Sequence, residues 1–350
     1  MTITTEGLSM NSPLQSIVPM RPLGRSGLSV APLVIGGNVF GWTADESTTF
    51  ALLDAFTEAG FNTIDTSNGY SRWVPGHRGG ESETLIGRWL EGRPGMRQQV
   101  LLATKVGSTL APDRKGLSRQ QIATEVERSL RLLKTDYIDL YQSHLYDEDA
   151  ALEETLDAYA SLVRAGKVRA IGASNHTAMQ LARSLAVSAN LGLPRYECLQ
   201  PRYNLYDRQE FETALAQLCR REKLGVIPYF SLASGFLTGK YRSGSDFSES
   251  ARGQWLHRFN LANLSQMFDA RGQRILTALD RVSQELSATP AQVALAWLLA
   301  RGVTAPIASA TRVDQLQQLM AGVRLSLPPE ALALLNEASA PSDLSASIPD

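Results

Sequence analysis

Short apolar runs bounded by turn-forming residues recur along this chain, and each is followed by a stretch whose apolar positions return every three or four residues. Residues 34–37 and 61–64 read as the first two buried strands, and the polar run Asp65-Thr66-Ser67-Asn68-Gly69-Tyr70 as the turn after the second. Residues 100–106 and 137–144 read as the third and fourth strands, and 168–172 opens a fifth unit. Residues 198–200, 225–229 and 303–307 complete the series. The intervening stretches read as helices: Leu52, Leu53, Phe56 and Ala59 share one face ahead of Gly60, and Leu85, Ile86, Trp89 and Leu90 another. Ser118 and Gln121 have capping-box spacing ahead of Ile122, Val126, Leu130 and Leu133. Thr289-Pro290-Ala291-Gln292 marks a further helix start, and helices are expected over 151–165, 312–320 and from Pro328 onward. Ahead of all these, Gly24-Arg25-Ser26-Gly27 closes a hairpin within residues 21–33.

Strands this apolar have no wet face, so the alternation predicts a parallel sheet covered on both sides. Eight such units without a midway change in composition favour one closed (β/α)8 TIM barrel over a doubly wound sheet. The expected organisation is a loose N-terminal extension over 1–20 and a single barrel over 21–350, with the hairpin at its start and a long loop, 230–270, after strand seven.

Composition narrows the function without naming it. The 350 residues carry 34 Lys and Arg against 35 Asp and Glu, a net charge of −1, and 43% are hydrophobic. Such a balance gives no basic footprint for nucleic acid or an anionic membrane surface. No apolar run is long enough to span a bilayer, and the first 20 residues do not read as a signal peptide. Cys198 and Cys219 match no metal-ligand spacing and read as reduced, buried thiols, which points to a cytoplasmic protein.

In a barrel, chemistry belongs at the carboxyl ends of the strands. Asp65, Tyr70, Lys105 and His144 fall at those ends. A phenol, with an ordinary pKa of about 10, is a poor acid at pH 7, and an adjacent ammonium favours its ionised form. Tyr70 is therefore the candidate general acid, Lys105 its electrostatic tuner, Asp65 the partner that holds the lysine, and a neutral His144 the group that orients a carbonyl. The histidines are not at ligand spacing, so no metal site is expected.

These positions, together with Thr104-Lys105, Gln142-Ser143-His144, Gly172-Ala173-Ser174-Asn175, Gln200-Pro201-Arg202-Tyr203-Asn204 and Ser234-Gly235-Phe236-Leu237-Thr238-Gly239-Lys240-Tyr241, resemble the aldo-keto reductases over residues 21–320. The resemblance implies a barrel that reduces aldehydes or ketones with a nicotinamide cofactor and no metal. It also implies roles for further residues. Ser174, Asn175 and Gln200 match the group that holds the carboxamide and Tyr229 the aromatic that stacks on the nicotinamide, and Gly37 and Asn38, at the end of the first strand, are expected to bind the cofactor together with Asp65. Phe230, Ser231, Leu232, Ala233, Gly235 and Lys240 match the segment over the pyrophosphate. Ser309, Thr311, Arg312, Gln315 and Gln318 match the adenine end, where a guanidinium suits a 2′-phosphate, so NADPH is expected rather than NADH. Tyr229-Phe230-Ser231-Leu232, Ser309 and Gln318-Leu319 depart from the usual family residues. Trp42, Trp73 and Tyr203 are expected to wall the pocket for a small carbonyl or alcohol substrate. Two other readings fit parts of the pattern: a Schiff-base aldolase using Lys105, and a non-catalytic nicotinamide-binding subunit resembling the potassium-channel β-subunits.

Overall fold

The computed structural model describes residues 18–243, 249–258 and 266–341. Two short antiparallel strands, β1 (Arg21–Pro22) and β2 (Ser29–Val30), form the expected hairpin. Eight parallel strands follow: β3 (Val34–Gly36), β4 (Thr63–Asp65), β5 (Leu101–Val106), β6 (Ile138–Ser143), β7 (Val168–Ser174), β8 (Tyr196–Gln200), β9 (Gly225–Val226) and β10 (Ile307–Ala308). From β3 to β9 the strands pair in sequence order, and β10 pairs back onto β3. Between β9 and β10 the circuit is completed by irregular hydrogen bonds, Thr304 N–H to Val226 O at 2.8 Å and Ile307 N–H to Pro228 O at 2.9 Å. The fold is a (β/α)8 barrel.

The eighth strand begins later than the expected 303–307, because Pro306 has no N–H to give a ladder and Thr304 and Ala305 both donate to Val226 O instead. Likewise Pro228 cuts the seventh strand to two residues.

Four helices lie where they were expected, α1 (Glu46–Glu58), α2 (Glu81–Glu91), α3 (Arg119–Leu133) and α4 (Leu152–Arg164), and α5 (Ala178–Leu191) and α6 (Ala216–Glu222) follow β7 and β8. After β9 come α7 (Ala251–Arg258), α8 (Ala270–Glu285), α9 (Pro290–Ala300), α10 (Val313–Gly322) and α11 (Pro329–Ala338). Thr289 and Gln292 form a reciprocal capping box with Pro290 in the first turn of α9. At α3 half of the expected box is made: Ser118 accepts from Gln121 N–H. Thr177 and Gln180 make a full box at α5. The expected 1–20 extension falls largely outside the described residues, as do parts of the 230–270 loop.

Two apolar layers hold the barrel together. The larger fills the space between strands and helices, with Trp89, Tyr141, Tyr159 and Trp297 buried in it. The smaller lies inside the strand cylinder and joins Leu23, Leu28 and Val30 of the hairpin to Ala103, Leu140, Ala170 and Cys198. The hairpin therefore stops the amino-terminal end of the cylinder. It fits closely, since a Cβ on Gly225 would sit 2.6 Å from Leu23 Cδ1.

Candidate active site

Side chains two residues apart on a strand share a face. On β5, β6 and β8 the inward positions run from Ala103 to Lys105, from Leu140 to Gln142 and from Cys198 to Gln200, so the apolar layer is capped by a polar one. Lys105 lies fully buried at the centre of that cap. Its Nζ donates to Asp65 Oδ2 at 2.7 Å, Thr66 O at 2.8 Å and Tyr70 Oη at 2.8 Å. Those three acceptors use every proton of an ammonium. Burial pulls the Lys105 pKa down, and the Asp65 charge beside it works in the opposite direction.

Asp65 is saturated too. Its Oδ2 also accepts from the Tyr70 hydroxyl at 3.2 Å, and its Oδ1 accepts from the side-chain amides of Gln200 at 2.9 Å and Gln142 at 3.3 Å. The loop after β4 brings Tyr70 back over the lysine. Thr66 N–H donates to Ala103 O and Asn68 N–H to Lys105 O, so the loop continues along β5 before turning, and Ser71 takes a left-handed φ of 65° with its hydroxyl on Phe40 O at 2.7 Å.

His144 follows β6. Its Nδ1 is 3.3 Å from Ser67 Oγ, and its ring centroid is 6.4 Å from that of Tyr70. Burial, then the positive charges of Lys105 and Arg72, lower its pKa to about 3. The imidazole is neutral at physiological pH and keeps one N–H to donate. All four expected side chains are thus brought together.

A cleft of about 1400 Å³ opens beside Tyr70 and His144. Asn38, Ser174, Asn175, Gln200 and Tyr229 line it, as do Phe230, Ser231, Leu232, Gly235 and Lys240. Ser309, Thr311, Arg312, Gln315 and Gln318 line it further along. Its floor is tight where β3 meets β10, since a Cβ on Gly36 would stand 2.6 Å from Ser309 Oγ. Asn175, at a left-handed φ of 53°, donates to His144 O at 2.9 Å and accepts from the Tyr229 hydroxyl at 2.6 Å. Phe230, Ala233 and Ser234 also take left-handed φ values of 53°, 46° and 56°. Such backbone costs on the order of 1–3 kcal/mol per residue and concentrates at sites where the chain must meet a ligand.

Three expected residues are placed elsewhere. Tyr203 is buried, with its ring on Phe211 and Trp297 and its hydroxyl on Glu212 at 2.6 Å, and it does not line the cleft. Gly37 faces Ser82 and Phe40 rather than the cleft, and Ala233 is packed into the outer apolar layer. Conversely, Gln142 holds Asp65, and Glu83, buried behind the site, accepts from Thr104 Oγ1 at 2.7 Å with its pKa raised by burial. The usable signal for Glu83 is a carboxylate on the apolar face of α2. Trp42 and Trp73 line the cleft as expected, and Trp255 of α7 joins them.

Among the described residues no group of His, Cys, Asp and Glu is arranged to hold a metal ion, and no helix is long and apolar enough to cross a membrane.

The sequence model described as the aldo/keto reductase family matches residues 32–340. The uncharacterized oxidoreductase YrpG of Bacillus subtilis is 34% identical, over 90% of this chain and 94% of its own length. The aldo-keto reductase dtxS3 of Metarhizium robertsii is 33% identical, over 88% of this chain and 87% of its own. A probable voltage-gated potassium channel subunit beta of Arabidopsis thaliana is 31% identical, over 86% of this chain and 90% of its own.

Proposed function

The chain belongs to the aldo/keto reductase family, and from that premise we propose that it is an NADP(H)-dependent enzyme that reversibly reduces aldehydes or ketones to alcohols. The observation that carries the reading is the contact of Tyr70 Oη with Lys105 Nζ at 2.8 Å, with Asp65 holding the lysine at 2.7 Å.

The cleft suits a dinucleotide. Among its described lining residues the one acid is Asp65, which is already paired, while Lys240 and Arg312 lie on segments that would meet phosphates. Asn175, Gln200 and Tyr229 would hold the nicotinamide end, and the segment 230–235 would follow the pyrophosphate. The bound cofactor supplies the two electrons that convert the carbonyl carbon to an alcohol carbon.

The chain's own residues handle the proton. Lys105 is kept charged beside the phenol by Asp65, and its field favours the phenolate that remains once Tyr70 gives its proton to the carbonyl oxygen. The Tyr70 hydroxyl now donates to Asp65, and rotating that O–H toward the cleft directs it at the substrate. His144, neutral, donates a second hydrogen bond and orients the carbonyl without competing as an acid. In the alcohol-to-carbonyl direction Tyr70 takes the proton back.

The aldolase reading needs a free amine at Lys105, whereas all three of its protons are already donated. The regulatory-subunit reading draws on the likeness to the Arabidopsis channel subunit.

The test is NADPH consumption against a panel of aldehydes and ketones. Tyr70→Phe should lower kcat/KM by ~10² to 10⁴, the share that proton donation contributes, with NADPH binding retained. Equal rates in the two proteins would remove Tyr70 from this role, and absence of turnover with retained NADPH binding would favour the regulatory reading.

A further inference from the structure

The charge of the cleft is one-sided. Its described cations are Arg72, Arg202, Lys240, Arg258 and Arg312, against the single acid Asp65. Arg202 and Arg312 face carboxylates of their own, Asp207 and Asp314, each at 3.0 Å. Lys240 lies over the Tyr241 ring next to Gly235, on the segment assigned above to the cofactor. Arg72 differs from Arg202, Arg312 and Lys240. It sits two residues beyond Tyr70 and is exposed, and none of the carboxylates in the described ion pairs is its partner. Its charge reaches into the site, where it contributes to keeping His144 neutral.

The wall beside it is aromatic. Trp42 from the loop before α1, Trp73 from the loop after β4 and Trp255 from α7 gather into one patch, with ring centroids 5.5, 6.2 and 5.1 Å apart pairwise. The Trp73 centroid is 6.3 Å from that of Tyr70. Three partly buried indoles on one side of a cavity offer flat apolar area next to the proton donor, which suits a planar ring better than a flexible chain. Indole faces also attract cations, but the Arg72 charge next to them opposes a cationic ligand and favours an anion. A guanidinium presents two parallel donors at the spacing of a carboxylate.

Building on the carbonyl-reductase reading, we propose that the substrate is an aromatic aldehyde or ketone bearing a carboxylate, its ring against Trp42, Trp73 and Trp255 and its carboxylate paired with Arg72. Because Arg72 is exposed, water screens the pair, so its effect is modest and salt-sensitive.

The test compares 4-carboxybenzaldehyde with methyl 4-formylbenzoate, which keeps the ring and the reacting carbonyl but removes the charge. With NADPH at low ionic strength, kcat/KM should favour the acid by roughly two- to fivefold. The preference should vanish in Arg72→Gln, persist in part in Arg72→Lys, and shrink in about 0.5 M salt as charges are screened. An acid and ester reduced equally well by the parent protein, or a preference that survives in Arg72→Gln, would overturn the proposal. Turnover of neither aldehyde would count against the carbonyl-reductase reading itself. Quenching of tryptophan fluorescence by the same two compounds then decides the anion assignment separately: tighter binding of the acid that is lost in Arg72→Gln supports it, and equal affinity sinks it.

Discussion

The lower and upper levels of the barrel interior are built by the same strands, one step of two residues apart. Below, Ala103, Leu140, Ala170 and Cys198 pack on the hairpin and make no demand beyond shape. Above, Lys105, Gln142 and Gln200 converge on Asp65 in a network of directed hydrogen bonds. A buried ion pair of this kind adds little net stability, because desolvation offsets the attraction, whereas apolar packing below adds stability and no chemistry. The difference teaches that position along a strand, more than residue burial, separates what holds this barrel together from what it does.

That contrast is sharpest at Lys105. Lys105→Met is expected to lower kcat/KM by ~10³, roughly 4 kcal/mol of transition-state stabilisation. Steady-state kinetics beside a circular-dichroism spectrum of the variant check it, and activity within tenfold of the parent would erase the boundary between the two levels. One layer down, Leu140→Ala should cost about 2–5 kcal/mol of unfolding free energy by leaving a cavity, while kcat/KM of the folded protein stays within a few-fold. Denaturant titration and kinetics on the same sample read both numbers. A large loss of activity with little loss of stability would invert the assignment.

A smaller effect is expected from the histidines around the upper level. The pKa of His144 is lowered to about 3 and that of His176, buried against Tyr146 and Tyr196, to about 4. In the unfolded chain both take up protons near the ordinary histidine value of about 6.5. The unfolded state therefore binds more protons below that pH, and the stability present above it is lost as the pH falls. Between pH 7 and pH 5 the His176 share is about 1–2 kcal/mol. Glu83, raised by burial, acts in the opposite sense, so the reading is a difference: His176→Gln should show a flatter fall than the parent. Parallel stability curves for the two would refute it.

Much of this was legible in the residues alone. Asp65, Tyr70, Lys105 and His144 could be brought to one rim because apolar strands announce their own ends, and a barrel fixes what meets there. Strand lengths near Pro228 and Pro306 were less legible, since a run can be apolar without having the N–H groups to make a ladder. Tyr203 misled for a related reason. An aromatic on a loop after a strand reads as a pocket wall, and only the approach of Trp297 on α9 turns it inward. Gln142 was hidden because its partner Asp65 lies 77 positions away. Trp255 was hidden because the long segment after β9 has no periodicity that says where it folds back.

The hairpin that stops the lower end has a consequence for traffic. With Leu23, Leu28 and Val30 seated beneath the strands, apolar side chains plug the lower end of the cylinder, so on the proposed mechanism the proton that Tyr70 gives is replaced from the cleft side. On that mechanism reactant, product and proton all pass by the cleft mouth, so anything that covers it governs three flows at once.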